Sequence, residues 1–306
     1  MNRQEMPRVI LIGSVNSSLI TLKKMVAHQC KLVAVFGIHP EKGRTISGYQ
    51  DLVCAATELG VQGTHYFSRI NDEKYIEQIK ALKPDWLFVI GLSQMIGRTL
   101  LKVARLGNIG FHPTLLPKGR GRGAIAWIVL GKAEPAASFF LLDEGMDSGP
   151  IVGQKAIQNQ NEWYAQDVLN ALVNATDELL DEMLPAMNRG ELEFREQDDA
   201  EATYLGQRKP EDGRIDWNQS AQEVQRLIRA SSRPLPGAFS QFAGQLVRIW
   251  KADVSRMYTG VPGRIIDLDG SDPVVACGKM AIRIREFECE EPAHFRVGSD
   301  FENVWR

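Results

Sequence analysis

The sequence predicts an α/β chain, in which a parallel-sheet domain is followed by a small β-barrel. Three observations carry that expectation. Over residues 8–90, short apolar runs alternate with helical stretches, the pattern of βαβ units around a parallel sheet. Over residues 238–287, strand-like runs follow one another at close intervals, which suits a small barrel. Between the two, residues 197–209 are polar and nearly free of large apolar side chains, as a linker would be. At 306 residues the chain is long enough for both domains.

The elements follow in order. Residues 8–12 are an apolar run ending at Gly13, and 19–27 read as a helix. Residues 32–36 are the second strand. Helical spacing over 50–59 stops at Gly60. Residues 72–82 form another amphipathic helix, followed by a strand over 86–90. Residues 108–112 run as a strand into a loop, 113–123, dense in Pro, Gly and basic residues. A helix over 124–130, a strand over 138–142 and a loop rich in Gly and Asp over 143–149 come next. One long helix covers 163–188, with Pro185 as a point for a kink. In the second part a helix is expected over 220–230. Strands are expected over 238–242, 245–252, 263–268, 274–277 and 280–287.

Composition narrows the function. A formal net charge of -2 supplies no global reason to bind nucleic acid. Residues 1–7 are polar and lead into no long apolar run, so no signal peptide is expected. No stretch approaches the roughly 18 apolar residues of a membrane span, which points to the cytoplasm. Cys30, Cys54, Cys277 and Cys289 are scattered without a CxxC pair. They read as reduced, mostly buried thiols, and no metal site is expected. The turn after the first strand, GSVNSS over 13–18, is not GxGxxG and supports no dinucleotide site.

Two loops carry the candidate chemistry. Strand alternation puts Asn108, Gly110 and His112 on one face. The loop behind His112 holds Lys118, Arg120 and Arg122 on a Gly-rich backbone, a suitable cradle for an anion. Asp147 sits in a second Gly-flanked loop. A His and an Asp on loops at strand ends occupy the place where open α/β sheets put their sites. Together they make an acid/base pair, with the carboxylate orienting and charging the imidazole. Taken alone, each has a plainer reading. A His at a strand end is commonly a structural hydrogen-bonder, and a Gly-Asp loop is commonly a turn.

A resemblance adds to this. IGFHPTLLPKGRG over 109–121 resembles the His-x-Ser-Leu-Leu-Pro-x-x-Arg-Gly signature of the folate-dependent formyltransferases. DEGMDSG over 143–149 resembles that family's Asp-x-Gly loop, and VIGLSQMI over 89–96 resembles the loop lining its pterin pocket. Residues 203–217 with 233–252 look like the C-terminal barrel of the methionyl-tRNA formyltransferase branch. The resemblance spans nearly the whole chain. It implies a Rossmann-like formyltransferase domain over 1–200 and an OB-like barrel over 201–306. It implies His112 and Asp147 as catalytic residues, the Asp raising the His pKa, and 10-formyltetrahydrofolate as formyl donor. Gly91, Gln94, Met95 and Ile96 on one loop, with Leu142, Asp143, Gly145 and Asp147 on the other, would enclose the pterin.

The family's third catalytic residue is an Asn two positions before the His, and that position is Gly110 here. A glycine leaves a space of about one Asn side chain beside His112, open to substrate or a catalytic water. Asn108 lies two residues further back, roughly 6–7 Å along the strand, and does not simply replace it. The amine acceptor is read from the stretch 38–49. It is short and holds only Lys42 and Arg44, whereas relatives acting on initiator tRNA carry a longer basic insertion. It more closely resembles the branch that formylates nucleotide-linked amino sugars for lipopolysaccharide biosynthesis, which makes tRNA an unexpected partner. In that branch Arg120 and Arg122 would hold substrate or the folate tail; the alternative is that they brace the loop. Methionyl-tRNA formylation and a non-catalytic folate- or nucleotide-binding role stand as the other readings, and a homodimer is left open.

Overall fold

The computed structural model describes residues 5–92 and 94–303. They divide into two compact units. The first comprises the chain up to Gly121 with Ala133–Gln158 and Asn170–Leu205; the second comprises Arg122–Lys132, Asn159–Leu169 and the chain from Gly206.

The first unit is built on a seven-stranded sheet. Its strands are β1 (Arg8–Gly13), β2 (Lys31–Ile38), β3 (Thr64–Phe67), β4 (Trp86–Ile90), β5 (Gly107–Thr114), β7 (Pro135–Leu141) and β8 (Ile151–Ala156). A two-residue strand, β6 (Arg120–Gly121), pairs separately with β9 (Tyr204–Leu205). The sheet order is β3-β2-β1-β4-β5-β7-β8. The first five chain segments of the sheet run parallel, and β7 and β8 are antiparallel additions beyond β5. β1 and β4 are apolar almost throughout because both their faces are buried, as in any covered parallel sheet. The edge strands β3 and β8 escaped the sequence pattern. They are short and half-buried, so Thr64, His65, Gln154 and Lys155 dilute the apolar run that marks a central strand.

Helices α1 (Asn16–Ala27), α2 (Pro40–Gly43), α3 (Leu52–Glu58), α4 (Glu73–Ala81) and α5 (Arg98–Leu101) link the parallel strands. α3 starts where the Asp51 carboxylate accepts the Cys54 N–H at 2.9 Å, a standard N-cap. A short helix, α6 (Ala124–Val129), precedes β7, and α7 (Ala165–Arg189) is one helix running through Pro185. The order reverses between β1 and β4, the switch point at which open α/β sheets leave a crevice. Here Ser18 Oγ donates to Ile90 O at 2.6 Å and Ser14 Oγ to Gly91 O at 3.1 Å, tying the two strand ends together.

The second unit is the expected barrel. Strands β10 (Ala238–Phe242), β11 (Gln245–Ser255), β12 (Ile265–Asp269), β13 (Asp272–Ala276) and β14 (Ala281–Cys289) pair antiparallel in the order β10-β11-β14-β13-β12. Residues 299–302 close the gap between the edges. Glu302 N donates to Gln241 O, Phe301 N to Gly263 O and Ile265 N to Ser299 O, each at 2.8 Å. Helix α8 (Ala221–Ser231) begins with a capping box of Ser220 and Glu223 and covers the barrel with Val224 and Ile228. Trp217 is fully buried beneath it, its indole N–H on Ser240 Oγ at 3.1 Å.

Cys277 is buried, Cys30 and Cys289 are half-buried and Cys54 is exposed, so the expectation of mostly buried thiols is corrected. Burial pushes the Cys30 thiol up to about 11 and the Cys277 thiol to about 12. Among the described residues no helix is long and apolar enough to cross a membrane.

Phe301 ties the closing segment to the core, with ring contacts to Trp217, Phe242 and Phe295. Phe301→Ala is therefore expected to destabilise the second unit by about 3–5 kcal/mol. Urea unfolding followed by tryptophan fluorescence checks this; a loss well under 1 kcal/mol would show that the seam is not part of the core.

Candidate active site

His112 lies near the end of β5, which pairs parallel with β4 and antiparallel with β7. The residue is 5% exposed. Beyond it the chain turns back, and the loop closes on the ring: His112 Nε2 lies 2.7 Å from the Gly119 carbonyl oxygen. A carbonyl can only accept, so Nε2 carries the proton and Nδ1 presents its lone pair in the neutral ring. Thr114 Oγ1 holds the same loop through Lys118 O and Gly119 O, at 2.9 and 3.1 Å.

Nδ1 faces Asp147, with Oδ2 at 3.5 Å. The same Oδ2 accepts the Gly121 N–H at 2.8 Å. Asp147 has φ +53°, a left-handed conformation that is uncommon for a non-glycine residue and requires support from its surroundings. Support comes from Gln197, whose Nε2 donates to Asp147 O at 2.8 Å and Gly149 O at 2.7 Å. Burial pulls the His112 pKa below its ordinary value; Asp147 and the Gly119 carbonyl push upward without outweighing it. The expectation of a net raised His pKa is corrected accordingly: the carboxylate acts in the expected direction, and desolvation exceeds it.

The two expected pocket loops differ in how they are held. Gly91 has φ +60°, and a Cβ there would lie 2.2 Å from Val15 Cγ2, so only glycine fits. Ser93 lies outside the described residues. The Gln94 side chain is engaged by backbone, donating to Ser68 O at 2.9 Å and accepting from Ile70 N at 3.0 Å. Asn71 clasps the loop further along, donating to Met95 O at 2.8 Å and accepting from Gly97 N at 2.7 Å. Met95 is exposed and Ile96 half-buried. In the second loop Leu142 continues the sheet, its N–H on Asn108 O at 2.7 Å. Asp143 folds the turn by accepting from Gly145 N at 2.9 Å and Ser148 Oγ at 3.0 Å. An exposed ion pair at 2.8 Å, Arg98 with Glu144, joins the start of α5, just beyond the first loop, to the second loop.

Gly110 leaves no space beside His112, which corrects that expectation. A Cβ at Gly110 would meet Leu142 Cδ2 at 2.6 Å and Cγ at 3.0 Å, and Phe140 Cζ at 3.2 Å. Leu142 therefore fills the room that an Asn side chain needs. Asn108 Nδ2 donates to Leu101 O at 2.7 Å, away from His112, and its Oδ1 is buried without a hydrogen-bond partner.

Arg120 is 1% exposed, and every nitrogen of its guanidinium donates a hydrogen bond. Nε and Nη2 donate to Gln197 Oε1 at 3.2 and 3.0 Å, Nη1 to the Tyr204 hydroxyl at 3.1 Å, and Nη2 to Asp199 Oδ1 at 2.8 Å. It braces the loop. Arg122 is exposed and belongs to the second unit. The linker reading of 197–209 is also corrected, because its first half is part of the site. Thr203 accepts Gly119 N at its Oγ1, at 2.8 Å, and Arg120 N at its carbonyl, at 2.9 Å. Gln197, Thr203 and Tyr204 were missed because a polar stretch without periodicity offers no signal that it pairs with a loop some eighty residues earlier.

Two outcomes follow from this geometry. Gly110→Asn should overpack the site and destabilise by about 1–3 kcal/mol. A double-mutant cycle with Leu142→Ala should show coupling of about 0.5–3 kcal/mol; strict additivity would mean that the two positions do not compete for one space. Second, a His pKa that is lower in the folded chain makes the unfolded chain bind more protons. The stability that neutral His112 confers is present above the ordinary His pKa near 6.5. It is lost as pH falls through the lowered folded value. His112→Gln should therefore flatten the acid side of the stability–pH curve; an unchanged slope would refute the burial argument.

The family described as "Formyl transferase" matches residues 12–184, and "Formyl transferase, C-terminal domain" matches 208–297. A methionyl-tRNA formyltransferase of Caldanaerobacter subterraneus subsp. tengcongensis is 29% identical over 290 residues, covering 92% of each chain. An N-formyltransferase of Helicobacter canadensis, solved with folinic acid and dTDP-3-aminofucose, shares the fold with TM-score 0.69 at 17% identity. The match covers 92% of this chain and 99% of that one. HypX of Aquifex aeolicus, solved with tetrahydrofolic acid, gives TM-score 0.66 at 19% identity. Here 94% of this chain spans only 45% of the larger protein. With a family match across more than half its length, on the domain that holds His112 and Asp147, the chain belongs to the formyl transferase family of enzymes.

Proposed function

We propose that this enzyme moves a formyl group from 10-formyltetrahydrofolate to the amine of a small molecule, a nucleotide-linked amino sugar. The amine lone pair attacks the formyl carbon, and the bond from that carbon to N10 of the folate breaks. Asp147 takes the proton that the amine gives up, and Nδ1 of His112, 3.5 Å from Oδ2, can receive it in turn. A proton is returned to N10 as it leaves. The family's Asn amide would stabilise the oxyanion of the tetrahedral intermediate. With Gly110 in its place, one donor is gone, a loss that typically costs about 10²–10³ in rate.

The observation that carries the acceptor class is the connection between β2 and α3. It is a compact turn rather than a basic arm. The Tyr49 hydroxyl donates to Ile38 O at 2.9 Å, and the Tyr49 ring packs so close to Gly43 that a Cβ there would lie 2.5 Å from it. Lys42 and Arg44 are its Lys and Arg residues, and Glu41 sits beside them. Binding an acceptor stem through phosphates calls for many such contacts. The sugar-nucleotide ligand of the Helicobacter canadensis neighbour supports the same reading. Methionyl-tRNA is the second reading, favoured by the 29% identical relative.

The test is a panel of acceptors with 10-formyltetrahydrofolate, reading tetrahydrofolate release. The panel includes dTDP- and UDP-linked amino hexoses and initiator methionyl-tRNA. A sugar nucleotide is expected to exceed the tRNA at least tenfold in kcat/KM, about 1.4 kcal/mol. The opposite ranking at physiological salt would establish the tRNA reading. Saturable folinic acid binding without turnover of any acceptor would establish a binding protein.

A further inference from the structure

We propose that Gln197 is a positioning residue for formyl transfer, setting the place of Asp147 through its two amide N–H bonds. The proposal rests on the reading of Asp147 as the group that takes the amine proton. It adds a residue from the polar stretch behind α7 to a site otherwise built from the two loops.

The Gln197 amide faces two ways. Its Nε2 donates to the carbonyls of Asp147 and Gly149, on either side of Ser148. Its Oε1 accepts both Nε and Nη2 of Arg120. The nitrogen side grips the backbone of the residue that must be held in a left-handed conformation. The oxygen side is itself fixed by a guanidinium that is 1% exposed and has two further partners, Tyr204 and Asp199.

The chemistry of the two loops meets at this amide. Arg120 and Gly121 pair with Tyr204 and Leu205, and a Cβ at Gly121 would lie 2.4 Å from Leu205 O. Gly121 N in turn binds Asp147 Oδ2. The carboxylate oxygen is thus fixed from the His112 loop, and its backbone is fixed from residue 197. Removing either hold leaves the other unable to define the position of Oδ2 beside Nδ1. A displacement of about 1 Å at a reacting group can cost 10²-fold in rate.

A glutamate separates positioning from bracing. Gln197→Glu keeps an acceptor for Arg120 and loses both donors to Asp147 O and Gly149 O. Gln197→Met loses both functions. Each is compared with the parent and with Asp147→Asn, using 10-formyltetrahydrofolate and dTDP-3-aminofucose as the probe pair. The folding midpoint and the titration of His112, read from its 13Cε1 resonance, are measured in parallel. Expected for Gln197→Glu is a folded protein with its midpoint lower by several degrees, because a carboxylate oxygen now faces two carbonyls, and a kcat lower by roughly 30- to 100-fold, with little change in the KM for donor. Gln197→Met should also move the His112 titration to lower pH, in the direction of Asp147→Asn, because Asp147 no longer raises it. Full turnover in Gln197→Glu, or a His112 titration in Gln197→Met equal to the parent, would overturn the proposal. If the probe acceptor is not turned over, the His112 titration decides alone. Full turnover in Asp147→Asn would instead remove the reading of Asp147, and the role of Gln197 with it. Loss in Asp147→Asn with full turnover in Gln197→Glu sinks this proposal only.

Discussion

The hydrogen bond from His112 Nε2–H to the Gly119 carbonyl is the contact on which the site depends. It fixes the tautomer, because only a ring protonated at Nε2 can make it. It turns Nδ1 toward Asp147. It also closes the loop that follows β5, and so sets where Gly121 N meets the carboxylate. The ring is buried to make this contact, and burial is what lowers its pKa. A neutral imidazole beside a carboxylate forms a pair with room for one more proton. In the proposed reaction, that is the state that takes up the proton of the amine.

How much of this was legible in the sequence depends on whether the signal was local. The central strands were, since β1 and β4 are nearly unbroken apolar runs, and so was α8, with its capping box at Ser220 and Glu223. The barrel strands showed themselves through regular spacing. The edge strands β3 and β8 did not, because one open side lets polar residues into the pattern. At the site, motif resemblance picked out His112 and Asp147, which the fold brings within 3.5 Å. The contents of the space at Gly110 were illegible, since Leu142 arrives there from another strand's end. So was the role of Arg120. A basic residue in a Gly-rich loop suggests an anion, and nothing local reveals that Gln197, Asp199 and Tyr204 surround it.

Hydrogen bonding to backbone recurs as the means of holding the loops. Gln94, Asn71 and Gln197 each use a side-chain amide to clasp main-chain groups of a loop. An amide can donate and accept at once, so one residue satisfies groups that would otherwise need water or a strand partner. By contrast the Arg98–Glu144 pair is exposed on both sides and contributes little to stability. The loops are thus held by side-chain amide contacts rather than by the outer ion pair.

The division of the chain into units also has a consequence for vectorial synthesis. Residues 122–132 and 159–169 lie between segments of the first unit, yet pack with the second. α6, with Ile128 and Val129 buried, packs on α8, which the ribosome makes far later. The barrel itself stays unsealed until residues 299–302 emerge. The first unit can assemble once Leu205 has appeared, whereas these two segments must wait with apolar surface uncovered. Nascent chains stalled between Leu205 and the seam are therefore the species most in need of chaperone cover.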